Sequence, residues 1–347
     1  MNRVFLTALL MTLTPVLPAS VADTLRFSTV HIRDHDEMIG GEAFTVLVPS
    51  NWKVSGGLLW RLHPLYPATT HLRLFDPNSP DQLESFPNHV AASACSNAVQ
   101  FLKETLLPRV RAESKPVIVA ERNLPAVADA VEKADAPAGP DSLPTTYNAG
   151  QVRVEYDWNG KRVEEDFIAV LVTTTLPGPD KLKLQLVDRI VALRAGKGMM
   201  ASRMPVFETI LASSRITLRW FNRYAQLTQA LSQTSSEKLR EPGELQRLVR
   251  QTNDNIADAV RQAHEQAGEA ELSFARSLTP KGCLQLRDDP RSKASSVVAL
   301  PAGYRVVWAN DRGEIVLSDN PKFQPGPEDS AGGAGAIWRE LKVSGAK

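Results

Sequence analysis

Cysteine is scarce in this chain: Cys95 and Cys283 are the only two among 347 residues. That excludes a disulfide-rich scaffold and any zinc or iron–sulfur site built on several thiolates. Neither sign of charge prevails. Lys and Arg number 40 against 39 Asp and Glu, a net charge of +1. The chain therefore has no bulk charge with which to coat nucleic acid or an anionic membrane, and no nucleic-acid partner is expected. No stretch beyond the first segment reaches about 18 apolar residues, so no transmembrane segment is expected once that segment is cleaved. The common catalytic signatures are missing as well: Gly-x-Ser-x-Gly, a Walker A loop, His-Glu-x-x-His, Gly-x-Gly-x-x-Gly after a strand, and Cys-x-x-Cys. Gly196-Lys197-Gly198 is a basic glycine turn without the spacing of a phosphate loop. These absences weaken the case for an enzyme without removing it, because a site can be assembled from scattered residues. No metal or organic cofactor is expected.

What is present begins with an export pattern. Asn2 and Arg3 form a short positive start, Val4 to Leu17 is an apolar run, and Ala19-Ser20-Val21-Ala22 has the small-x-small form of a cleavage site. The run is too short to span a hydrocarbon core of about 30 Å. Residues 1–22 are therefore expected to be a signal peptide, with the mature chain starting at Asp23 in the periplasm or secreted. In that oxidising compartment Cys95 and Cys283 are a possible disulfide, which would close most of the chain into one loop. Two separate thiols are the alternative, since spacing says nothing about distance. A hydrophobic fraction of 43% is enough for a sizeable core and rules out wholesale disorder.

The mature chain divides into three regions. Residues 23–199 mix strands and helices. Leu25 to His31 and Ala43 to Val48 alternate apolar and polar residues around a turn ending in Gly40-Gly41, the pattern of a β-hairpin. Gly57 to Trp60, His71 to Phe75, Pro116 to Ala120, Gln151 to Asp157 and Val163 to Thr175 read as further strands. Asn159-Gly160 supplies a tight turn between the last two. Val90 to Leu107 fits a helix, with Asn88 as its cap. Residues 200–279 read as a helical hairpin. An apolar stripe runs through Phe207, Leu211, Leu218, Phe221 and Leu231, and a second, alanine-rich stripe runs from Leu245 to Phe274. Residues 280–347 read as a small β-meander with strands at Ser296 to Leu300, Tyr304 to Trp308 and Glu314 to Ser318. An irregular tail follows, docked by Ile337, Trp338 and Leu341. The fold class expected is α+β.

Two stretches carry a family resemblance. Phe44-x-Val46-x-Val48-Pro49-x-x-Trp52-x-Val54 resembles the strand entry of the Mog1/PsbP-like family, and Phe207 to Ser214 is similar to that family's closing helix. The resemblance implies an antiparallel-sheet α/β/α sandwich over residues 24–216. It also implies a binding or assembly role without a shared catalytic centre, and it carries over no site residue. Gly303-Tyr304…Trp308…Gly313-Glu314…Leu317-Ser318-Asp319 resembles a tail found on uncharacterised secreted bacterial proteins.

Two clusters are candidates for chemistry. His31-Ile-Arg-Asp34-His35-Asp36-Glu37 is the densest group of ionisable residues. His31 and His35 with nearby acids are candidate ligands for a borderline divalent metal, and they are the basis of an alternative reading as a hydrolase or metal-dependent enzyme. On a straight strand, however, the two imidazoles stand about 13 Å apart, and the plainer reading is a solvated turn. Arg215, Arg219 and Arg223 follow at i, i+4, i+8 beside Trp220 and Tyr224, a spacing that puts them on one helical face. Guanidinium groups beside aromatic rings suit carboxylate- or phosphate-bearing partners. The plainer reading pairs them with Glu244, Asp254 or Asp258. The function expected is that of an exported noncatalytic protein that binds, or helps assemble, another envelope or secreted protein. Arg215, Arg219, Trp220 and Arg223 are the candidate partner-binding residues.

Overall fold

A computed structural model describes residues 24–34, 38–63, 66–91, 95–135, 143–175, 183–233, 297–298, 304–326, 330 and 335–343. The export segment, His35, Cys283 and the stripe from Leu245 to Phe274 lie outside these residues, and so does the pairing of Cys95 with Cys283.

The chain opens with β1 (Leu25–Asp34), β2 (Gly41–Pro49), β3 (Lys53–His63), β4 (Tyr66–Phe75), β5 (Gln82–Ser85) and β6 (His89–Val90). A helical stretch follows: α1 (Ala98–Phe101), a π turn at Leu102–Leu106, and α2 (Leu107–Val110). Next come β7 (Val117–Asn123), α3 (Pro125–Asp135), β8 (Thr145–Trp158), β9 (Lys161–Thr175) and β10 (Lys183–Gly196). Then α4 (Met200–Ala212), β11 (Arg215–Ile216) and α5 (Leu218–Gln233) lead to β12 (Val297–Val298), β13 (Val306–Asn310), β14 (Glu314–Ser318) and β15 (Trp338–Val343). The fold is α+β.

The strands form two sheets. The first runs β11-β2-β1-β14-β13-β15-β12; the second runs β3-β4-β5-β10-β9-β8-β7, with β6 beside β10. All pairings are antiparallel except that of β12 with β15. The second sheet is covered on both faces. Along β9, Phe167, Ala169 and Leu171 point to one core, where they meet Phe101, Leu102 and Leu106 of the α1–α2 stretch. Ile168, Val170 and Val172 point to the other, where they meet Val131 of α3, Phe207 and Ile210 of α4, and Phe27 and Leu317 of the first sheet. Alternate side chains leave a strand on opposite faces, so a strand covered on both sides reads as a continuous apolar run. One outer layer over the second sheet is thus helical, and the other combines helices with the first sheet.

Several expectations are corrected in detail. The helix placed at Val90 to Leu107 starts later, at Ala98. His89 and Val90 instead pair with Val187 and Leu186 of β10, and Asn97 is the cap, accepting from the Gln100 N–H at 2.8 Å. The helix α3 lies in a segment to which the sequence reading assigned no element. The continuous stripe from Phe207 to Leu231 breaks at Ser213, because Arg215 and Ile216 pair with Thr45 and Phe44 of β2. The tail at Trp338 is a strand, and it pairs with β13. The last segment does not pair only with itself: Leu25 to Ser28 of β1 lie in register against Leu317 to Glu314 of β14.

Candidate functional site

The two clusters singled out in the sequence meet at one place. The residue that joins them is Asp34, at the end of β1. Strand alternation leaves Ile32 and Asp34 buried while His31 and Arg33 face outward. The chain returns through Gly40 and Gly41, at φ +73° and +82°, a left-handed conformation that glycine adopts without strain. This turn aims the N–H groups of Ile39 and Gly40 at Asp34 Oδ2, at 3.2 and 3.1 Å. Trp60 of β3 donates its indole N–H to Asp34 Oδ1 at 2.9 Å, and Trp220 of α5 donates to Oδ2 at 3.3 Å. One carboxylate thus receives four donors from three elements. Such charge-assisted bonds are stronger than neutral ones, and a donor left buried without an acceptor is costly.

An aromatic cluster surrounds this contact. The rings of Trp220 and Tyr224 stack at 5.1 Å, and Trp60 lies 6.3 Å from Trp220 and 6.5 Å from Tyr224. The Tyr224 hydroxyl faces the Ala68 carbonyl at 3.4 Å, and burial pushes its pKa up to about 12. Trp220 is 4% exposed. It belongs to a core with Ile32, Phe44, Leu72, Leu227 and Leu231.

The arginines divide by position. Arg215 lies on β11 rather than on the helix, and its Nη1 donates to the Ala212 and Ser214 carbonyls at 2.8 and 2.9 Å, closing the end of α4. Arg219 and Arg223 are on α5. Arg219 is exposed; Arg223 is half-buried and donates from Nη1 to the Ile39 carbonyl at 3.1 Å. Burial, together with the like charge of Arg219, lowers the Arg223 pKa. No carboxylate pairs with either among the described residues; Glu244, Asp254 and Asp258, the acids the sequence offers as their partners, lie outside those residues. His31 is engaged elsewhere: its Nδ1 lies 2.6 Å from Glu42 Oε2, and Glu42 Oε1 accepts from the Thr217 hydroxyl at 3.2 Å. The described members of the ionisable cluster are therefore split, with His31 outward on Glu42 and Asp34 inward on two indoles. Among the described residues, no three His, Cys, Asp or Glu side chains gather as a metal site would need.

A second polar network was not anticipated from the sequence. Arg111, just after α2, forms a fork with Glu165 of β9, at 2.9 and 2.8 Å, and reaches Glu84 of β5 at 2.7 Å. Tyr156 donates to Glu165 at 2.7 Å, and His71 Nε2 lies 3.0 Å from Glu84. Gln82 donates to Glu84 and accepts from Arg73 and Arg194, and the Arg194 guanidinium lies 4.2 Å over the Trp158 ring. Burial alone would raise the Glu84 carboxyl, but Arg111 and His71 outweigh it and hold the group below its ordinary value. The Tyr156 hydroxyl, buried beside Glu165, is pushed up to about 12. These residues come from β4, β5, β8, β9, β10 and the end of α2. No motif joins them in sequence, and only the sheet order brings them together. Their donors and acceptors are spent on one another, so the network ties the helical layer to the sheet.

No protein-family model matches the chain, and no curated protein does. Among solved structures, LpqN of Mycobacterium tuberculosis, described as involved in cell envelope biogenesis, is similar at 14% identity and a TM-score of 0.23. The match covers 55% of this chain and 91% of that one. A likeness of that size carries no conclusion about role. The Mog1/PsbP-like resemblance stays a resemblance. Its strand-entry residues run from β2 through Trp52 to Val54 of β3, and its closing-helix residues are the last turns of α4 and the two serines after it.

Proposed function

We propose that this is an exported, noncatalytic binding protein of the periplasm or secreted fraction, and that the α5 surface carrying Arg219 and Arg223 takes an acidic protein partner of the cell envelope. One observation carries the reading. Asp34 locks α5 to two strands through Trp220 and Trp60, while the two guanidinium groups beyond this lock have no carboxylate partner among the described residues. A rigid helix with arginines beside aromatic rings suits carboxylate recognition, since guanidinium binds carboxylate in a two-point fork. In this reading Trp220 and Arg215 position the surface, and Arg219 and Arg223 touch the partner. The export pattern ending at Ala22 supports the compartment. Among the described residues, no helix is long and apolar enough to cross a membrane.

The test is capture of envelope proteins by the mature chain, comparing wild type with an Arg219→Ala, Arg223→Ala double variant. The variant should keep its melting temperature within a few degrees and lose the captured protein. The wild-type interaction should weaken as salt is raised, because exposed charge pairs are screened. Undiminished capture by the folded double variant would refute the surface.

A further inference from the structure

Between the two sheets the packing leaves an apolar slot. Its walls include Val46 of β2, Leu72 and Leu74 of β4, Leu83 of β5 and Leu211 of α4. Val46, Leu74, Leu83 and Leu211 belong to the core that α4 covers, whereas Leu72 belongs to the core beneath α5, so the slot lies where the two cores adjoin. The space is about 30 Å³. Its lining runs from Thr70 to Leu74, about 13 Å of β4 at about 3.3 Å per residue, so it is long and thin rather than round. The lining surface is almost wholly carbon, and the Ser85 hydroxyl on the wall already accepts the Leu72 N–H at 3.1 Å. A water there would lack partners, and an apolar cavity of this kind stays dry. Every lining residue except Ser214 is buried, so the slot reaches the surface beside Ser214, just after α4. The next residue sets a cation at that mouth: Arg215 Nη1 lies 2.9 Å from the Ser214 carbonyl oxygen.

We propose that this slot binds a medium-chain fatty acid, with its tail between the sheets and its carboxylate at Ser214 and Arg215. The choice of ligand rests on complementarity at both ends. A guanidinium at the mouth favours an anionic head, and its hydrogen bonds to a carboxylate are of the strong, charge-assisted kind. Behind the mouth, walls that face empty space lack dispersion partners, and a hydrocarbon tail supplies them without displacing a bound water. A straight chain follows a thin slot, whereas a ring is too wide for it. The space now open takes the end of such a chain, and the leucines of the wall change rotamer to admit the rest. This ligand is additional to the acidic partner proposed for Arg219 and Arg223 on α5.

Titration calorimetry of the full mature chain, stripped of lipid, tests this with butanoate, hexanoate and octanoate. Binding should saturate at one molecule per chain. Affinity should rise about fourfold with each added methylene, the value for moving a CH₂ from water into an apolar site. Ser214→Trp closes the mouth and should abolish octanoate binding while melting with the wild type. Thr70→Ile narrows the slot from inside and should weaken octanoate severalfold, which keeps the test decisive if the tryptophan variant does not fold. Arg215→Gln should weaken octanoate about tenfold, the scale of one hydrogen bond to a charged group, and leave octanol binding unchanged. The alcohol separates a lost carboxylate contact from a distorted slot. A wild-type chain that takes up no octanoate would overturn the proposal. So would full octanoate affinity in a folded Ser214→Trp or Thr70→Ile chain, which would put the ligand on the outer surface. Equal losses of octanoate and octanol in Arg215→Gln would overturn the assignment of the carboxylate to Arg215.

Discussion

Asp34 and Trp220 show how a single contact decides what a residue can do. Arginine and aromatic residues four apart on a helix suggest a binding face, and on sequence alone Trp220 belongs to it. In the fold its ring is buried and its indole N–H is committed to Asp34. Trp220→Ala should therefore cost about 3–5 kcal/mol in urea unfolding, the range for emptying a buried aromatic site. A loss below about 1 kcal/mol, the range of ordinary surface changes, would contradict its place in the core. Glu208 makes the opposite point. It sits on α4 without an ion pair or hydrogen bond among the described residues, and burial raises its pKa. Its protonated form is favoured by the native state, so stability falls as pH rises from the unfolded value, about 4.3, through the folded one. Glu208→Gln should raise the melting temperature at neutral pH, with the gain closing as pH drops below about 4. An equal melting temperature at both pH values would show that the carboxyl is solvated.

Among elements, what could be read in advance depended on how each is covered. The β1–β2 hairpin was legible because its strands alternate in sequence around the Gly40-Gly41 turn, although β2 is buried on both faces from Val46 to Val48. The turn at Asn159-Gly160, at φ +48° and +74°, is equally local in origin. The helix α3 was not legible: Pro125 suits a first helical turn, but the segment is short and its apolar residues only make sense against the sheet core. The break between α4 and α5 was hidden because the apolar spacing continues across it; pairing with β2 overrides periodicity. The Glu84–Arg111–Glu165 network was illegible for a stronger reason. Its members are up to 81 residues apart in the chain, and nothing local marks any of them. Its role is nonetheless testable. Arg111→Ala would leave two buried carboxylates without their cation and should cost about 3–5 kcal/mol. Arg111→Lys should recover part of that, since it restores the charge but not the fork. Because Glu84 is held below its ordinary pKa, its share of wild-type stability is present at neutral pH and is lost as pH falls through the folded value. A variant as stable as wild type would make the network incidental.

At the scale of the molecule, the first described strand shares a sheet with the late strand β14, and α5 seals one end of the space between that sheet and its neighbour. The Asp34 lock therefore joins the β1–β2 turn, the edge strand β3 and the last described helix, and whatever binds α5 meets a rigid surface. Rigidity of this kind lowers the entropy lost on association. Charge reversal separates that claim from a general loss of stability more sharply than alanine does. The most direct measurement is quantitative capture of envelope proteins by the mature wild-type chain and by an Arg219→Glu variant. Arg219 is exposed and outside the lock, so the variant should melt with the wild type while its acidic partner disappears from the captured fraction. The same partner retained in the same amount by the folded Arg219→Glu chain would contradict the account.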